Sequence, residues 1–399
     1  MSKEFQYDIC IIGGCGHVGL PLSIMLASKG KKVCIYDINE ESMNLISKGI
    51  MPFKEEGAEE VLKSALKSGN LILSKDPQVI SNSENVIIVI GTPVDEFLNP
   101  RLSEIKKFFD YYIDYFTEGQ LIILRSTIYP GTTEHINKWV NDADKNLDLA
   151  FCPERIAEGF AIIELEKLPQ IVSSFTDNGI KRAKELFSSL TADIIELEPK
   201  EAELAKLFTN VWRYLKFAAA NNFFMIANDQ GLDYYKIHKA ITHNYPRAKD
   251  LPSSGFAAGP CLFKDTMQLA AFHENNFYLG HSAMLINEGL PNYLVQSLKA
   301  KVDLSDKTVG ILGMAFKGGS DDKRSSLSYK LKKILEFECK DVLCTDPFIK
   351  ETYFLKVDEV ISESDVLILA TPHEEYKNLN FKNKTIIDIW NFYGKGGLI

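Results

Sequence analysis

Residues 8–19 read DICIIGGCGHVG, and this stretch decides the fold of the first part of the chain. A short β-rich run leads into Gly14, Gly16 and Gly19, which have GxGxxG spacing, and a helical pattern follows. In such a strand-loop-helix unit the glycines permit a tight turn, let the backbone approach a pyrophosphate, and let the helix pack closely. The helix N-terminus then faces the negative charge. The stretch therefore predicts a dinucleotide-binding site.

The next β-rich run, KVCIYD, ends at Asp37, which lies about twenty residues beyond the glycine loop, where such sites carry an acidic residue. A carboxylate there can accept hydrogen bonds from both ribose hydroxyls, and it would repel a 2'-phosphate. The nearby cations, Lys31 and Lys32, precede the strand. NAD is therefore predicted in preference to NADP.

Length and composition limit the class of protein. The chain has 399 residues, and since single cores stop growing at roughly 250 to 300 residues, two or three domains are expected. A net charge of -9 argues against a nucleic-acid partner, which would need a basic surface. No apolar run is long enough for a membrane span and the chain starts without a signal-peptide pattern, so a cytoplasmic protein without a membrane partner is expected. Seven scattered cysteines without a CxxC pair predict neither a disulfide framework nor a metal site.

The order of patterns along the chain predicts its architecture. Short β-rich runs alternate with helical patterns, the stretch 201–229 has no Gly or Pro and predicts one long helix, and β-rich runs return from Lys307. The predicted fold is α/β, with two Rossmann-like doubly wound parallel-sheet domains at residues 1–198 and 301–399. The long central helix and a helical middle domain, residues 199–300, join them.

The stretch GFAAGPCLFKD, residues 255–265, contains a candidate nucleophile. Its glycines and alanines let a ligand approach the backbone, and the thiol of Cys261 would need only local activation to react. The usual fate of a cysteine is, however, to be buried and inert. The stretch alone leaves both interpretations open.

Seven motifs, taken in order, resemble those of the UDP-glucose/GDP-mannose dehydrogenase family. They are GCGHVG (14–19), GTP (91–93), STIYPGTT (126–133), CPERIAEG (152–159), AELAKLFTN (202–210), GPCLFKD (259–265) and GMAFKGGSDDKRSS (313–326). The resemblance implies an N-terminal NAD domain, a long central helix that also builds a homodimer, and a C-terminal domain that binds a UDP-sugar. It covers the chain from end to end.

The resemblance also implies a reaction. Family members oxidise the C6 alcohol of the sugar to an aldehyde, bind it to the cysteine as a thiohemiacetal, oxidise that to a thioester and hydrolyse it. Carried over, Cys261 is the nucleophile and Lys206 stabilises the developing oxyanion. Asn210 lies four residues after Lys206, so both side chains lie on one helix face and could frame the reacting oxygen.

Four further catalytic and binding roles follow from the same motifs. Asp265 is expected to orient Lys206 or to position the hydrolytic water. Glu154 is the better candidate for the general base of thioester hydrolysis, and Glu158 for a contact with substrate or cofactor. Thr127 matches a threonine that lies near the attacking water.

Two sets of binding residues complete the prediction. The predicted cofactor contacts are Gly14, Gly16, His17, Val18, Gly19, Asp37, Thr92, Pro93, Thr127 and Glu158. The predicted substrate contacts are Glu154, Arg155, Lys206, Asn210, Arg247, Gly255, Phe316, Lys317 and Arg324. Residues 313–326 carry cations and lack GxGxxG, so they predict a nucleotide-sugar site and not a second NAD site. Arg247 resembles a family arginine that reaches the substrate across a subunit boundary.

The sequence leaves the sugar and some alternatives open. PERIAEG and STIYPGTT resemble the branch that acts on UDP-N-acetylhexosamines, LFKD resembles the UDP-glucose branch, and Pro260 departs from the family pattern. The alternatives are a GDP-mannose 6-dehydrogenase, a two-electron NAD hydroxyacid dehydrogenase and an inactive nucleotide-sugar-binding homologue. Presence of Cys261 with Lys206 and Asn210 argues against an inactive homologue, and a two-electron enzyme needs no thiol.

Overall fold

A computed structural model describes residues 4–91, 95, 101–143, 145–256, 259, 261–381 and 384–396. The chain divides into two compact units, Met1–Phe208 and Thr209–Ile399, and the division falls within one long helix. The predicted division into three domains stays a prediction. In the described part of the chain, no helix is both long and apolar enough to cross a membrane.

The first unit is built on one sheet. Its described strands are β1 (Tyr7–Ile12), β2 (Val33–Tyr36), β3 (Leu71–Ser74), β4 (Ser83–Ile88), β5 (Leu121–Leu124), β6 (Asp148–Phe151), β7 (Gln170–Ser174) and β8 (Ile194–Glu196). Its helices are α1 (Gly19–Ser28), α2 (Glu40–Ser47), α3 (Ala58–Lys67), α4 (Gln78–Ser81), α5 (Leu102–Tyr112), α6 (Thr132–Asp142), α7 (Ala161–Lys167) and α8 (Asp177–Phe187). A single turn of 3-10 helix, Ile113–Tyr115, follows α5.

The strand order is β3-β2-β1-β4-β5-β6-β7-β8, and neighbouring strands are parallel except for the antiparallel β6-β7 pair. Strand β1 is buried on both faces: Ile9 and Ile11 belong to one apolar cluster, Cys10 and Ile12 to the other. Helices therefore cover both sides of the sheet, as in doubly wound folds. The order reverses between β1 and β4, where such sheets bind ligands at the carboxyl ends of their strands.

The long central helix is α9 (Pro199–Asp229), which has 31 residues. Proline suits the first turn of a helix, where its missing N–H leaves no hydrogen bond unmade, so the helix can begin at Pro199. It ends just before Gly231, whose φ of +67° suits a helix end. The predicted helix over residues 201–229 is confirmed.

The second unit contains the rest of α9 and a smaller sheet. Its other described helices are α10 (Tyr234–Thr242), α11 (Leu262–Phe272), α12 (Tyr278–Lys299), α13 (Leu327–Glu338) and α14 (Val357–Glu363). Its described strands are β9 (Thr308–Leu312), β10 (Asp341–Thr345), β11 (Val366–Leu369) and β12 (Thr385–Ile387), with a 3-10 turn at Glu374–Tyr376. The strands pair in parallel in the order β10-β9-β11-β12. The predicted α/β fold with two doubly wound sheets and a long helix is confirmed.

Candidate active site

The glycine loop follows β1 and leads directly into α1. A Cβ on Gly14 would lie 2.9 Å from Ile35 Cγ2, and a Cβ on Gly19 would lie 2.6 Å from Gly14 Cα. Neither position has room for a side chain, because the loop packs against β2 and against itself. Gly16 differs, since the nearest atom to its Cβ would be Gly13 O at 4.0 Å. Its side of the loop is free for a ligand to approach the backbone.

Helix α1 begins without a side-chain cap. Val18 is its N-cap residue and makes no side-chain hydrogen bond to the first turn. Uncapped N–H groups and the partial positive charge of a helix N-terminus suit a pyrophosphate. This is the arrangement that a dinucleotide requires, so the loop fits NAD.

Asp37 follows β2 and lies beside the glycine loop. Its Oδ2 accepts a hydrogen bond from the Cys15 N–H at 2.8 Å, and its Oδ1 accepts one from the Asn39 N–H at 2.9 Å. A carboxylate has about four acceptor sites, so capacity is left for the ribose hydroxyls. Ile38 is 83% exposed, and the sequence analysis did not single it out. Its apolar side chain beside the ribose position suits the face of an adenine ring.

The other residues of the glycine loop and of the GTP motif give less information about the cofactor. Burial raises the pKa of the Cys15 thiol well above its ordinary value, so this cysteine is inert. The His17 ring stacks on Phe53 with 4.0 Å between ring centroids. Thr92 and Pro93 lie outside the described residues.

Two alanine substitutions separate cofactor contact from packing of the chain. Gly19→Ala places a Cβ 2.6 Å from Gly14 Cα, so we expect a melting temperature lower by about 5 °C and weakened NAD binding. Gly16→Ala has room in the protein, but its methyl group would stand where a pyrophosphate approaches. We expect an unchanged melting temperature and a Kd for NAD raised about tenfold. Thermal unfolding and NADH fluorescence titration measure both; unaltered NAD affinity in Gly16→Ala would contradict this placement.

In the second glycine-rich region, residues 313–326, the backbone is held by the carboxylate of Asp346, which is more fully hydrogen-bonded than that of Asp37. Asp346 Oδ2 accepts hydrogen bonds from the N–H groups of Met314 and Ala315, at 2.7 and 3.0 Å. Its Oδ1 accepts two more from the turn that follows β10, and the buried His373 ring lies 3.2 Å from Oδ2. Burial opposes ionisation, but these hydrogen bonds lower the pKa of Asp346 overall. The carboxylate has no capacity left for a ribose, which supports the prediction that this region is not a second NAD site.

A buried ion pair anchors the loop after β6, residues 152–159. The Arg125 guanidinium is fully buried and donates one hydrogen bond to Glu154 Oε2. It also donates to Cys152 O at 3.1 Å and to Gln170 Oε1 at 3.0 Å. Glu154 Oε1 accepts the N–H groups of the next two residues at 2.7 and 3.0 Å. Glu154 thus fixes the loop, and its role as a general base stays a prediction.

The remainder of this loop is held by other contacts. The Arg155 guanidinium donates to the carbonyl that precedes β7, and burial lowers its pKa. Glu55 accepts the N–H groups of Gly159 and Ala161 at 2.9 and 2.7 Å, which fixes the start of α7. Glu158 lies between these anchors and is half-buried. The predicted ligand contacts of Arg155 and Glu158 stay predictions.

Thr127 and Glu154 lie at the ends of neighbouring strands. Thr127 follows β5 and is half-buried, while the Glu154 N–H donates to Arg125 O at 3.1 Å, joining the end of β6 to the end of β5. The Ser126 hydroxyl donates to Ile90 O, after β4. The structure therefore brings both predicted residues to the edge of the sheet where the glycine loop also lies.

Cys261 differs from the other six cysteines in its exposure. It is exposed at the N-cap of α11, whereas five of the others are buried and Cys339 is half-buried. Burial raises the pKa of each of the six other thiols, for example that of Cys34 to about 12 and that of Cys339 to about 11. A helix N-terminus stabilises a thiolate. Exposure and position at a helix N-terminus thus fit the prediction for Cys261, and its catalytic role stays a prediction.

Two of the predicted catalytic residues, Asn210 on α9 and Asp265 on α11, are in direct contact. Asn210 Nδ2 donates to Asp265 Oδ2 at 2.6 Å, and both side chains are buried. The Asp265 N–H donates to Cys261 O at 2.9 Å in the first turn of α11. Asp265 therefore orients Asn210. Lys206 lies one turn before Asn210 on α9 and is 8% exposed, so it is not the solvated lysine of an ordinary helix surface.

Gly259, just before Cys261, packs against Phe316 in the second glycine-rich region. A Cβ on Gly259 would lie 2.9 Å from Phe316 Cδ2, and Lys317 Nζ lies 5.6 Å from the centre of the Phe316 ring. Gly259 precedes Cys261 by two residues, and Pro260 between them lies outside the described residues. Phe316 thus lies against the segment that leads to Cys261, and the sugar contacts of Phe316 and Lys317 stay predictions.

Three other predicted substrate contacts have protein partners. Gly255 lies against the Trp390 ring, only 2.3 Å from where its Cβ would be, so this glycine is needed for packing. The Arg324 guanidinium binds the Asp322 carboxylate at 2.6 to 3.0 Å. Arg247 is exposed and lies 5.6 Å from a neighbouring tyrosine ring. Their contacts with substrate stay predictions.

Comparison with known proteins decides the family. Residues 7–191, 200–288 and 310–395 match, in turn, the NAD binding, central and UDP binding domains of one dehydrogenase family. The UDP-N-acetyl-D-mannosamine dehydrogenase of Pyrococcus horikoshii is 32% identical over 94% of this chain and 93% of its own. The chain belongs to the UDP-glucose/GDP-mannose dehydrogenase family. Its predicted class, an NAD-dependent oxidoreductase, is confirmed.

Solved structures agree with this membership of the UDP-glucose/GDP-mannose dehydrogenase family. The UDP-D-ManNAc dehydrogenase of Pyrococcus horikoshii has a TM-score of 0.89 at 29% identity, covering 98% of this chain and 97% of its own. The UDP-N-acetyl-mannosamine dehydrogenase of Staphylococcus aureus has a TM-score of 0.85 at 25% identity, with coverage of 98% and 97%.

The site also contains residues that the sequence analysis missed. Asp346 could have been found, because DVLCTDP ends a strand with an aspartate as KVCIYD does. Glu203 shares a helix face with Lys206 and Asn210, at positions i, i+3 and i+7, which is a weaker signal. Nothing in LIILRST distinguishes a buried Arg125 from a solvated arginine after a strand.

Proposed function

We propose that the chain catalyses the four-electron, NAD-dependent oxidation of the C6 alcohol of a UDP-sugar to a carboxylate. The observation that carries this proposal is the position of Cys261, an exposed thiol at the N-terminus of α11, beside the buried hydrogen bond between Asn210 and Asp265. One oxidation, from alcohol to aldehyde, needs no thiol. A second does, because an aldehyde is a poor hydride donor whereas its thiohemiacetal can release hydride.

NAD fits the first glycine loop, where Gly16 leaves the backbone accessible, α1 begins uncapped and Asp37 has free acceptor capacity. When bound, NAD supplies the hydride acceptor, one molecule for each two-electron oxidation. The residues of the chain bind the pyrophosphate at the helix N-terminus and the ribose at the Asp37 carboxylate.

Cys261 acts once the alcohol has become an aldehyde. Its thiolate adds to the aldehyde carbon, a C–S bond forms, and the carbonyl electron pair moves onto oxygen. The Lys206 ammonium and the Asn210 amide, one turn apart on α9, stabilise the charge on that oxygen. Release of a hydride leaves a thioester, and attack by water breaks the C–S bond, which yields the carboxylate and returns the thiolate. One alcohol and one water thus give one carboxylate, two hydrides and three protons.

The water step is assigned to Thr127 and Glu154, which end neighbouring strands. The hydrogen bond from Arg125 to Glu154, with the two backbone N–H groups on Oε1, holds the carboxylate in one orientation. Oriented in this way, Glu154 takes a proton from the attacking water while the Thr127 hydroxyl holds the water in place. Asp265 keeps the Asn210 amide directed at the reacting oxygen.

For the substrate we propose UDP-N-acetyl-D-mannosamine. The relatives named above act on it according to their names, and the PERIAEG and STIYPGTT motifs point to a UDP-N-acetylhexosamine. Phe316, Lys317 and Arg324 are assigned to the nucleotide sugar in the second unit. A guanidinium can bind diphosphate or sugar oxygens through paired hydrogen bonds.

A panel of nucleotide sugars tests the substrate. The purified protein is incubated with NAD and UDP-ManNAc, UDP-GlcNAc, UDP-GalNAc, UDP-glucose or GDP-mannose, and NADH formation is followed by absorbance. We expect kcat/KM for UDP-ManNAc to exceed that for each other sugar by about tenfold or more. A preference for UDP-glucose or GDP-mannose would overturn the choice of sugar while leaving the chemistry intact.

We further propose a homodimer that forms along α9, and three domains with the boundaries 1–198, 199–300 and 301–399. Apolar side chains form a stripe on one face of the helix. Its large exposed members are Phe208, Trp212, Phe223 and Ile226. Such a stripe in water favours association with another apolar surface. All seven cysteines are free thiols, which fits a cytoplasmic enzyme.

The dimer is tested by placing a charge in the stripe. Trp212 is 58% exposed, and Trp212→Glu should disrupt a dimer because the carboxylate would be buried without a partner. Light scattering after gel filtration should give a mass near 45.0 kDa for the variant and twice that for the parent. The control is Phe337→Glu, at a 92% exposed position on α13, which should remain dimeric. A parent protein of monomeric mass would contradict the proposal.

A further inference from the structure

Glu203 is a buried carboxylate in the first part of α9. It is 1% exposed, and its side chain reaches the first turn of α6. Its Oε2 accepts a hydrogen bond from the Gly131 N–H at 2.5 Å. Its Oε1 accepts two from Thr133, from the N–H at 2.8 Å and from the hydroxyl at 2.6 Å. One side chain thus binds three donors at the end of the STIYPGTT loop.

This contact is an unusual way to cap a helix. The N-cap residue itself normally supplies the acceptor, but here the N-cap of α6 is Gly131, which has no side chain and a φ of +91°. The acceptor comes instead from a residue 72 positions later in the chain. Burial raises the pKa of Glu203, although its hydrogen bonds and the charge of Lys200 act to lower it. Burying this carboxylate is therefore costly.

The contact connects two segments that carry predicted catalytic residues. Thr127 lies in the loop that ends at Gly131, and Lys206 lies one helical turn after Glu203 on α9. The carboxylate therefore ties the turn that carries the lysine to the loop that carries the threonine. Both ends of this connection lie in the first compact unit.

We propose that Glu203 is a positioning residue that holds the Lys206 ammonium in register with the Thr127 loop. The inference rests on the proposed function, in which the lysine stabilises the oxyanion and the threonine holds the water. Small displacements of such groups are costly, since a shift of about 1 Å can lower a rate about a hundredfold. Glu203 acts through Lys206 and the Thr127 loop and not by contact with substrate or cofactor.

The test is Glu203→Gln, which keeps the shape but turns one acceptor into a donor facing N–H groups. We expect kcat to fall about thirtyfold or more, with KM for the sugar within about threefold and the Kd for NAD within about twofold of the parent. The matched control is Glu201→Gln, an exposed residue on the same turn of helix, which should leave kcat within about twofold.

A second pair of variants addresses the same contact from its other side. Thr133→Val removes the hydroxyl donor to Glu203, while Thr133→Ser keeps it. We expect kcat to fall about fivefold or more in the first and to stay within about twofold in the second. This pair decides the question if Glu203→Gln does not fold.

The outcomes separate the inference from the proposed function. A parent protein that forms no NADH from any nucleotide sugar overturns the function. An active parent whose Glu203→Gln variant matches Glu201→Gln overturns the inference alone. So does an equal loss of NAD affinity and kcat, which would indicate a general disturbance, or a Thr133→Val variant with the kcat of the parent. The inference is supported if Glu203→Gln and Thr133→Val lose kcat alone while Thr133→Ser keeps the kcat of the parent.

Discussion

Replacing Cys261 by serine is expected to lower steady-state NADH formation at least about a thousandfold. The thiol lies exposed at the N-terminus of α11, where the partial charge of the helix favours the thiolate. A serine hydroxyl stays protonated under the same conditions and adds poorly to an aldehyde. The second oxidation and the hydrolysis both depend on the C–S bond, so both should fail. We expect the aldehyde from the first oxidation to stay bound, so that turnover and further NADH formation stop.

The control for this variant is Cys339→Ser. Cys339 is half-buried on the second unit, and burial raises its pKa to about 11. We expect this substitution to leave kcat within about twofold of the parent. Absorbance at the NADH band measures both variants under the same conditions. A Cys261→Ser variant with the activity of Cys339→Ser would mean that the enzyme carries out a single, two-electron oxidation.

Replacing Lys206 by methionine has the second largest expected effect. The lysine is 8% exposed on α9, one turn before Asn210. Removing one fixed donor from an oxyanion site costs roughly a hundredfold to a thousandfold in kcat, and methionine keeps the length and apolar part of the side chain. We expect a loss in that range, with the Kd for NAD little changed.

The matched control is Lys200→Met, an exposed lysine near the start of the same helix. It should keep kcat within about twofold, because an exposed charge contributes little to the site. NADH fluorescence titration gives the NAD affinity of each variant, and steady-state kinetics give kcat. A Lys206→Met variant that lost only sugar affinity, with kcat intact, would assign the lysine to ground-state binding instead.

Much of the fold followed from the sequence because its determinants are local. The glycine loop between β1 and α1 has its own spacing, and α9 was predicted over 201–229 and observed over Pro199–Asp229. The antiparallel β6-β7 pair was not predictable in this way. The pattern of β7, QIVSS, predicts a strand but not its direction in the sheet. That direction depends on the path of the loop that precedes the strand.

The candidate site, too, contains residues that local sequence predicts and residues that it does not. Cys261, Lys206 and Asn210 were predicted from motifs and helical spacing, which lie in short stretches of sequence. The partners that hold the site are distant in sequence: Arg125 and Glu154 are 29 residues apart, and Glu203 binds a helix 72 residues before it. Burial of a charged side chain depends on tertiary packing, and a single sequence does not distinguish it from a solvated charge.

The ratio of NADH formed to nucleotide sugar consumed tests the central claim most directly. A limiting, known amount of the preferred UDP-sugar is converted to completion with excess NAD, NADH is measured by absorbance, and the sugar product is identified by mass spectrometry. A route through a thioester on Cys261 removes four electrons from each sugar, so we expect two NADH per sugar and a uronate product. One NADH per sugar, with an aldehyde or ketone as product, would contradict it.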